Sequence, residues 1–426
     1  MNPIRKLFCS VWLVAAALLV CAGAAQAQQT TVLRAARMLD VAAGRVVENA
    51  VIVIEDERIV AVNPASVPED AEILDLGDVT LLPGLLDTHV HLTGDLDRDS
   101  FTRSIRQGAP DAALRGARNA RRTLLAGFTT VRDIASGNFV DVALMRASDA
   151  GLIDAPRIIP VGHAIGITGG HCDTTGLAPG ILERGPEAGI ADGEDEILKA
   201  VRYQIKHDAR AIKTCATAGV LSFEGPVGAQ QYSEEELRVI VEEARRHGLK
   251  VAAHAHGTEG IIAAVRAGVA SIEHGSMLND LAIRLMIEKG TYLVPTTYLM
   301  DVINLDILPP PIRAKAEFII PRARASHRAA IQAGVKIAFG TDAAVFPHGD
   351  NAKEFAVLVE LGLTPMQAIR TATVNAADLL GLPDRGALEA GRLADIIAVP
   401  GSPLENVRAL EDVRFVMKGG KIYKQP

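Results

Sequence analysis

His89 and His91, in Leu85-Leu86-Asp87-Thr88-His89-Val90-His91-Leu92, stand two residues apart at the end of a short apolar run. On a β-strand, residues i and i+2 face the same side, so the two imidazoles converge on one point. That pair is half of a metal site and calls for further nitrogen and oxygen ligands. His254, His274 and Asp342 close comparable apolar runs later in the chain. Lys213 lies in Arg210-Ala211-Ile212-Lys213-Thr214-Cys215-Ala216, where an inward ammonium would repel cations. Burying it charged costs too much unless it is paired or neutralised. Reaction with carbon dioxide would make it a carbamate, an anionic two-oxygen ligand that can bridge two cations. The alternative is that Lys213 pairs with a carboxylate or binds substrate. Two cations sharing a hydroxide would supply a nucleophile at neutral pH and polarise a carbonyl. Asp342 would orient that hydroxide, take its proton and return it to the leaving nitrogen. The chemistry is hydrolysis of an amide, an ester or a ring C–N bond.

Such ligands must be carried by elements that end together. From about Pro83 to Arg385, short apolar strands alternate with longer helical patterns, the mark of parallel βαβ units. Strand ends fall near Asp87, Asp133, Ala164, Ala216, His254, His274, Thr297 and Asp342. Helical periodicity runs through Asp111–Ala126, Glu234–His247, Glu259–Ala267, Asn279–Lys289 and Ala314–Ala333. Eight such units predict an α/β fold built on a (β/α)8 TIM barrel, whose chemistry sits at the C-terminal strand ends. The long connection from Gly166 to Ala211 reads as a binding element over the barrel mouth. Residues 28–82 and 386–426 carry short strands that predict one small β-sandwich assembled from both chain ends, flanking a catalytic barrel over 83–385. The polar stretch at Glu55–Glu57, with Gly44 and Asn49, marks the turns of the first part.

Arg5 and Lys6 precede an apolar run to Val20, and Ala25-Gln26-Ala27 reads as a cleavage site. Residues 1–27 are thus expected to be a secretory signal peptide, with the mature chain periplasmic or secreted and without a stable membrane span. Loss of those two positive charges takes the net charge from −7 to −9. No basic footprint for nucleic acid remains. Cys9 and Cys21 leave with the leader. Cys172 and Cys215 remain, which permits one bridge but no disulfide scaffold.

Leu82-Pro83-Gly84-Leu85-Leu86-Asp87-Thr88-His89-Val90-His91, Ile272-Glu273-His274-Gly275, Gly340-Thr341-Asp342 and Gly391-Arg392-Leu393-Ala394-Asp395-Ile396 resemble the amidohydrolase superfamily. Val251-Ala252-Ala253-His254-Ala255-His256-Gly257, the Lys213 strand and Thr168-Gly169-Gly170-His171 are similar to its secreted, prolidase-like dipeptidase and carboxypeptidase branch, which includes ochratoxin-hydrolysing amidases. The resemblance implies a distorted barrel beside a β-sandwich and a homo-oligomer. It implies that His89, His91 and Asp342 hold the more buried of two divalent ions, with zinc expected. His254 and His274 hold the second, carboxylated Lys213 bridges, and Asp342 shuttles protons. Geometry leaves His254 and His256 as alternatives, and the family pattern favours His254. A one-metal deaminase or cyclic amidase is the alternative function. Glu273 would serve it, but strand alternation predicts that Glu273 points away from a site that His274 enters.

Around the mouth, His171 is a candidate for the scissile carbonyl or a substrate carboxylate, and Tyr232 for a terminal carboxylate. His163, His256 and His348 are further candidates for contact with substrate. The expected substrate is a small molecule, an N-acyl amino acid or a dipeptide, with a free C-terminal carboxylate.

Overall fold

The computed structural model describes residues 30–425, so the expected leader lies outside the described residues. Strands β1 (Thr30–Asp40), β2 (Arg45–Glu55), β3 (Arg58–Val62), β4 (Glu72–Asp75) and β5 (Val79–Pro83) come first. The middle carries β6 (Leu85–Val90), β7 (Phe128–Asp133), β8 (Arg157–Pro160), β9 (Ile212–Cys215), β10 (Val251–Ala255), β11 (Ser271–His274) and β12 (Tyr292–Val294). Last come β13 (Ile396–Pro400), β14 (Phe415–Lys418) and β15 (Lys421–Lys424).

The two chain ends share one eight-stranded sheet in the order β15-β14-β13-β5-β1-β2-β3, with β4 on β1. β5 and β13 join them, antiparallel from Val79 opposite Pro400 to Pro83 opposite Ile396. The turn expected at Asn49 is instead a kink inside β2, where Asn49 takes φ 54 and the strand continues. Asn tolerates the left-handed region because its short amide bonds locally, so the strand bends rather than reverses.

The middle strands are parallel and form a distorted TIM barrel. β6-β7-β8 make one arc and β9-β10-β11-β12 the other. Every residue of β6, β7, β9, β10, β11 and β12 is buried, as strands with helices outside and a packed interior must be. The seams are thin. Ile165 bridges to Thr214, and Ile337 and Ala343 bridge to Leu293 and Val90. The eighth strand, expected to end at Asp342, is therefore an irregular segment that closes the barrel through single bridges. Its irregularity lets Asp342 line the mouth while Thr341 stays buried against Asp87. The expected helices form as Ala109–Leu125, Glu234–Arg246, Thr258–Ala267, Asp280–Lys289 and Pro310–Ala333. Gly334 ends the last of these at φ 84, a conformation that a side chain would strain.

Asp395, in the C-terminal motif, locks the sheet to the barrel. It accepts two bonds from Arg157 Nη1, at 2.8 and 2.6 Å, and one from Gly419 N–H at 2.8 Å. Among the described residues no helix is long and apolar enough to cross a membrane.

Candidate metal centre

β6 delivers His89, and His91 follows one residue beyond the strand, held by its N–H to Ala343 O at 3.0 Å. Asp87 ties this strand to the closing segment. Its carboxylate accepts the Thr341 hydroxyl at 2.6 Å and the Asn351 amide at 2.8 Å. Burial pushes Asp87 up to about 6, against the lowering bonds from Thr341 and Asn351. The result sets Asp342 Oδ1 at 3.5 Å from His89 Nε2 and 3.3 Å from His91 Nε2. Gly340 is required here, since a Cβ would stand 2.3 Å from Val294 Cγ1 and 2.9 Å from His89 Cβ.

On the other arc, the register pairs Lys213 with Ala252 and His254 with Glu273. Lys213, His254, His256 and His274 all line the cavity that holds His89, His91 and Asp342. Ligand atoms of His254, His256 and His274 lie within 4.8 Å of one another, as do those of His89, His274 and Asp342. His274 belongs to both groups. The structure thus keeps His254 and His256 together and does not choose between them.

The alternation expected around Glu273 fails. Glu273 is fully buried on the inner side of the barrel. Its Oε2 accepts His89 Nδ1–H at 2.8 Å and its Oε1 accepts Arg132 Nη2–H at 2.8 Å. Ser271, two residues back, bonds the same carboxylate, as strand geometry requires. The exception is His274, whose φ of 72 swings its ring to the same side as Glu273. That conformation costs about 1–3 kcal/mol and must be held by its surroundings. His327, from the helix Pro310–Ala333, bonds the His274 carbonyl at 2.5 Å, and Ser326 donates to Gly275 O at 2.7 Å. Asp342 (φ 58) and Thr296 (φ 50) adopt the same region at neighbouring strand ends.

Electrostatics suit cations. Burial holds His254 and His274 well below the usual imidazole range and His256 at about 3, so these rings are neutral ligands. His254 Nε2 is buried with no hydrogen-bond partner among the described residues. Thr296 Oγ1 occupies His274 Nδ1 at 2.8 Å and Ser276 Oγ occupies His256 Nδ1 at 2.7 Å, leaving each Nε2 for an ion. Burial works to raise Asp342, and the charges of His89, His91 and Lys213 outweigh it, holding the carboxylate ionised. Glu273 is likewise opposed by burial but held at about 2, chiefly by Arg132. Lys213 is lowered to about 8 by burial, and its ammonium has no hydrogen-bond or ion-pair partner among the described residues. The donor set fits divalent cations.

The mouth candidates separate. His171 packs on His254, ring centroids 4.1 Å apart, with Nδ1 on Ser222 Oγ at 2.5 Å and 3.5 Å from Glu224 Oε1. Gly219 makes room for it: a Cβ there would stand 2.1 Å from the His171 ring. A disulfide joins Cys172 to Cys215, Cα–Cα 6.0 Å, pinning the loop that carries His171 to the end of β9. His163 also lines the cavity. Tyr232 does not. It is fully buried and its hydroxyl donates to Ala191 O at 2.7 Å, because it packs in the apolar layer under the loop. His348 is buried behind His91, with Nε2 3.2 Å from His91 O and Nδ1 3.4 Å from Thr123 Oγ1. Neither lines the cavity, so neither is a substrate contact. Arg132 and His327 support the centre from outside the expected ligand set. A lone arginine inside Phe128-Thr129-Thr130-Val131-Arg132-Asp133 was the available signal, since a buried guanidinium demands a carboxylate.

The amidohydrolase family profile matches residues 80–423. Ochratoxinase from Aspergillus niger is 37% identical over 413 residues, covering 90% of this chain and 84% of that protein. The crystal structure of a Xaa-Pro dipeptidase with methionine in its active site superposes with a TM-score of 0.90 at 38% identity, over 93% of this chain and all of that one (100%). A prolidase complexed with N-methylphosphonate-L-proline gives 0.86 at 33% identity, with 93% and 100% covered.

Proposed function

Since the chain belongs to the amidohydrolase family and is a metal-dependent hydrolase of amide bonds, we propose that it cleaves dipeptides or N-acyl amino acids with a free C-terminal carboxylate. Ochratoxin A, an amide of phenylalanine, belongs among the candidate substrates. The observation that carries a two-metal reading is Lys213, buried without a partner among the described residues, in one cavity with two overlapping ligand groups.

His89, His91 and Asp342 would hold one ion and His254 and His274 the other. The neutral Lys213 amine would add to carbon dioxide, forming an N–C bond and releasing a proton, and the carbamate would bridge. Two zinc ions, when bound, would supply a nucleophile at neutral pH and polarise the scissile carbonyl. Asp342, ionised at the cavity floor, accepts the proton of the attacking water and returns it to the leaving nitrogen. His171, whose Nε2 has no hydrogen-bond partner among the described residues, donates to the carbonyl oxygen as negative charge develops there. The commitment of Glu273 favours a hydrolase over a one-metal deaminase. Glu273 faces inward, but both its oxygens are committed to His89 and Arg132, so it has no free oxygen for a substrate. A leader over residues 1–27 would export the enzyme, and the family resemblance supports a homo-oligomer.

Purified enzyme loaded with zinc and bicarbonate tests this on a panel of dipeptides, N-acyl amino acids and their C-terminal amides, with metal analysis alongside. The expected result is two metals per chain and faster turnover of the acids than of their amides. Ammonia release from cyclic amidines with one metal per chain would favour the deaminase.

A further inference from the structure

The cavity of about 640 Å³ is lined by both apolar and charged side chains. Leu221, Leu299, Met300, Ile303, Ile319 and Ile320 supply apolar lining. Apart from Lys213 and Asp342, its charged lining residues are Asp95, Arg103, Arg115 and Arg184, three cations against one anion. Arg103 is spent on the Asp95 carbonyl and the Asp97 carboxylate. Arg115 commits Nε to Thr93 O and Nη1 to Gln107 Oε1, both at 2.7 Å. Arg184 is different. It is partly buried and lines the cavity, and its guanidinium has no hydrogen-bond or ion-pair partner among the described residues.

The segment that follows Arg184 is anchored to the barrel by Gly166 N–H to Gly189 O and Ala191 N–H to Gly166 O, both 3.0 Å. Gly189, at φ 87, lies so close that a Cβ would stand 2.2 Å from Ala164 O. The neighbouring His163 cannot do the same work. Its Nε2 accepts the Asn138 N–H at 3.0 Å, which leaves Nδ1–H directed at Gln204 Oε1, 3.3 Å away. With Tyr232 outside the cavity, the guanidinium fork of Arg184 is the free donor matched to a carboxylate.

We propose that Arg184 is the substrate-binding residue that grips the free C-terminal carboxylate, while the apolar lining receives the N-terminal or acyl part. The inference rests on the reading that the substrate carries such a carboxylate. It deepens that reading by naming the residue that enforces it and by requiring a bulky apolar group at the other end.

The test measures kcat and KM of the metal-loaded enzyme on an apolar dipeptide and on its C-terminal amide. R184M should lose about 10- to 100-fold in kcat/KM on the acid, chiefly through KM, with the amide changed less than about twofold. R184K should recover part of the loss, and R184E should reject the acid yet still cleave the amide, which shows that the variants fold. Equal losses on both substrates, or an unchanged acid-to-amide ratio in R184M, would overturn the assignment. So would an R115M variant that alone abolished the preference. If the unaltered enzyme itself cleaved acid and amide equally, the free-carboxylate reading would fall first, a result distinct from any outcome in the variants.

Discussion

Glu273 accepts the Nδ1–H of His89 at 2.8 Å from the chain position next to His274, so two consecutive residues of one strand serve the same centre. The carboxylate fixes the His89 tautomer and turns Nε2 toward Asp342. E273Q should therefore weaken metal binding by about 10- to 100-fold while preserving the fold. Metal content after dialysis against graded chelator measures this, and retention equal to wild type would reduce Glu273 to a packing role. R132M should act on stability instead, because it strands a buried charge. A loss of about 3–5 kcal/mol in chemical denaturation is expected.

Lys213 yields a prediction with a sign in pH. Only the neutral amine captures carbon dioxide, and burial lowers Lys213 from 10.5 to about 8. The neutral fraction therefore grows as pH rises through about 8. Reactivation of metal-stripped enzyme by zinc, at a fixed concentration of dissolved carbon dioxide, should accelerate from about pH 7 to about pH 9 and then level off. K213A and K213R should each hold fewer than two metals whatever the bicarbonate. Full occupancy and activity in either would contradict the bridging role.

Gly219 and His171 occupy the same space problem. G219A places a methyl where the His171 ring lies, so the ring must leave its contact with His254. Both G219A and H171Q should lower kcat by about 10²–10³ with metal content intact, the loss typical of one missing oxyanion donor. Loss of metal in H171Q would instead show that His171 supports the ligands.

The Cys172–Cys215 bridge closes a segment with a sequence separation of 43. In the chain-entropy account its removal in a C172A/C215A variant costs about 4 kcal/mol. Denaturant unfolding of the oxidised protein and the double variant gives the difference. The variant should also show raised KM, since the loop carrying His171 is released from β9.

The spacing of His89 and His91, and the recurrence of His254, His274 and Asp342 at apolar run ends, pointed to a metal-binding cluster from the sequence alone. That worked because side-chain direction within a strand obeys a period of two, and parallel barrel strands end on one face. What the tertiary structure decided lies where that period stops. Glu273 turns inward beside His274 because His274 takes a left-handed φ, held by a bond from His327, 53 positions further along the chain. Tyr232 is drawn under its loop by Ala191, and Arg184 is left bare at the mouth by neighbours that bond elsewhere. Local pattern encodes which face a strand residue takes. It does not encode which distant partner satisfies a donor, and that decides which residues remain free to meet a substrate.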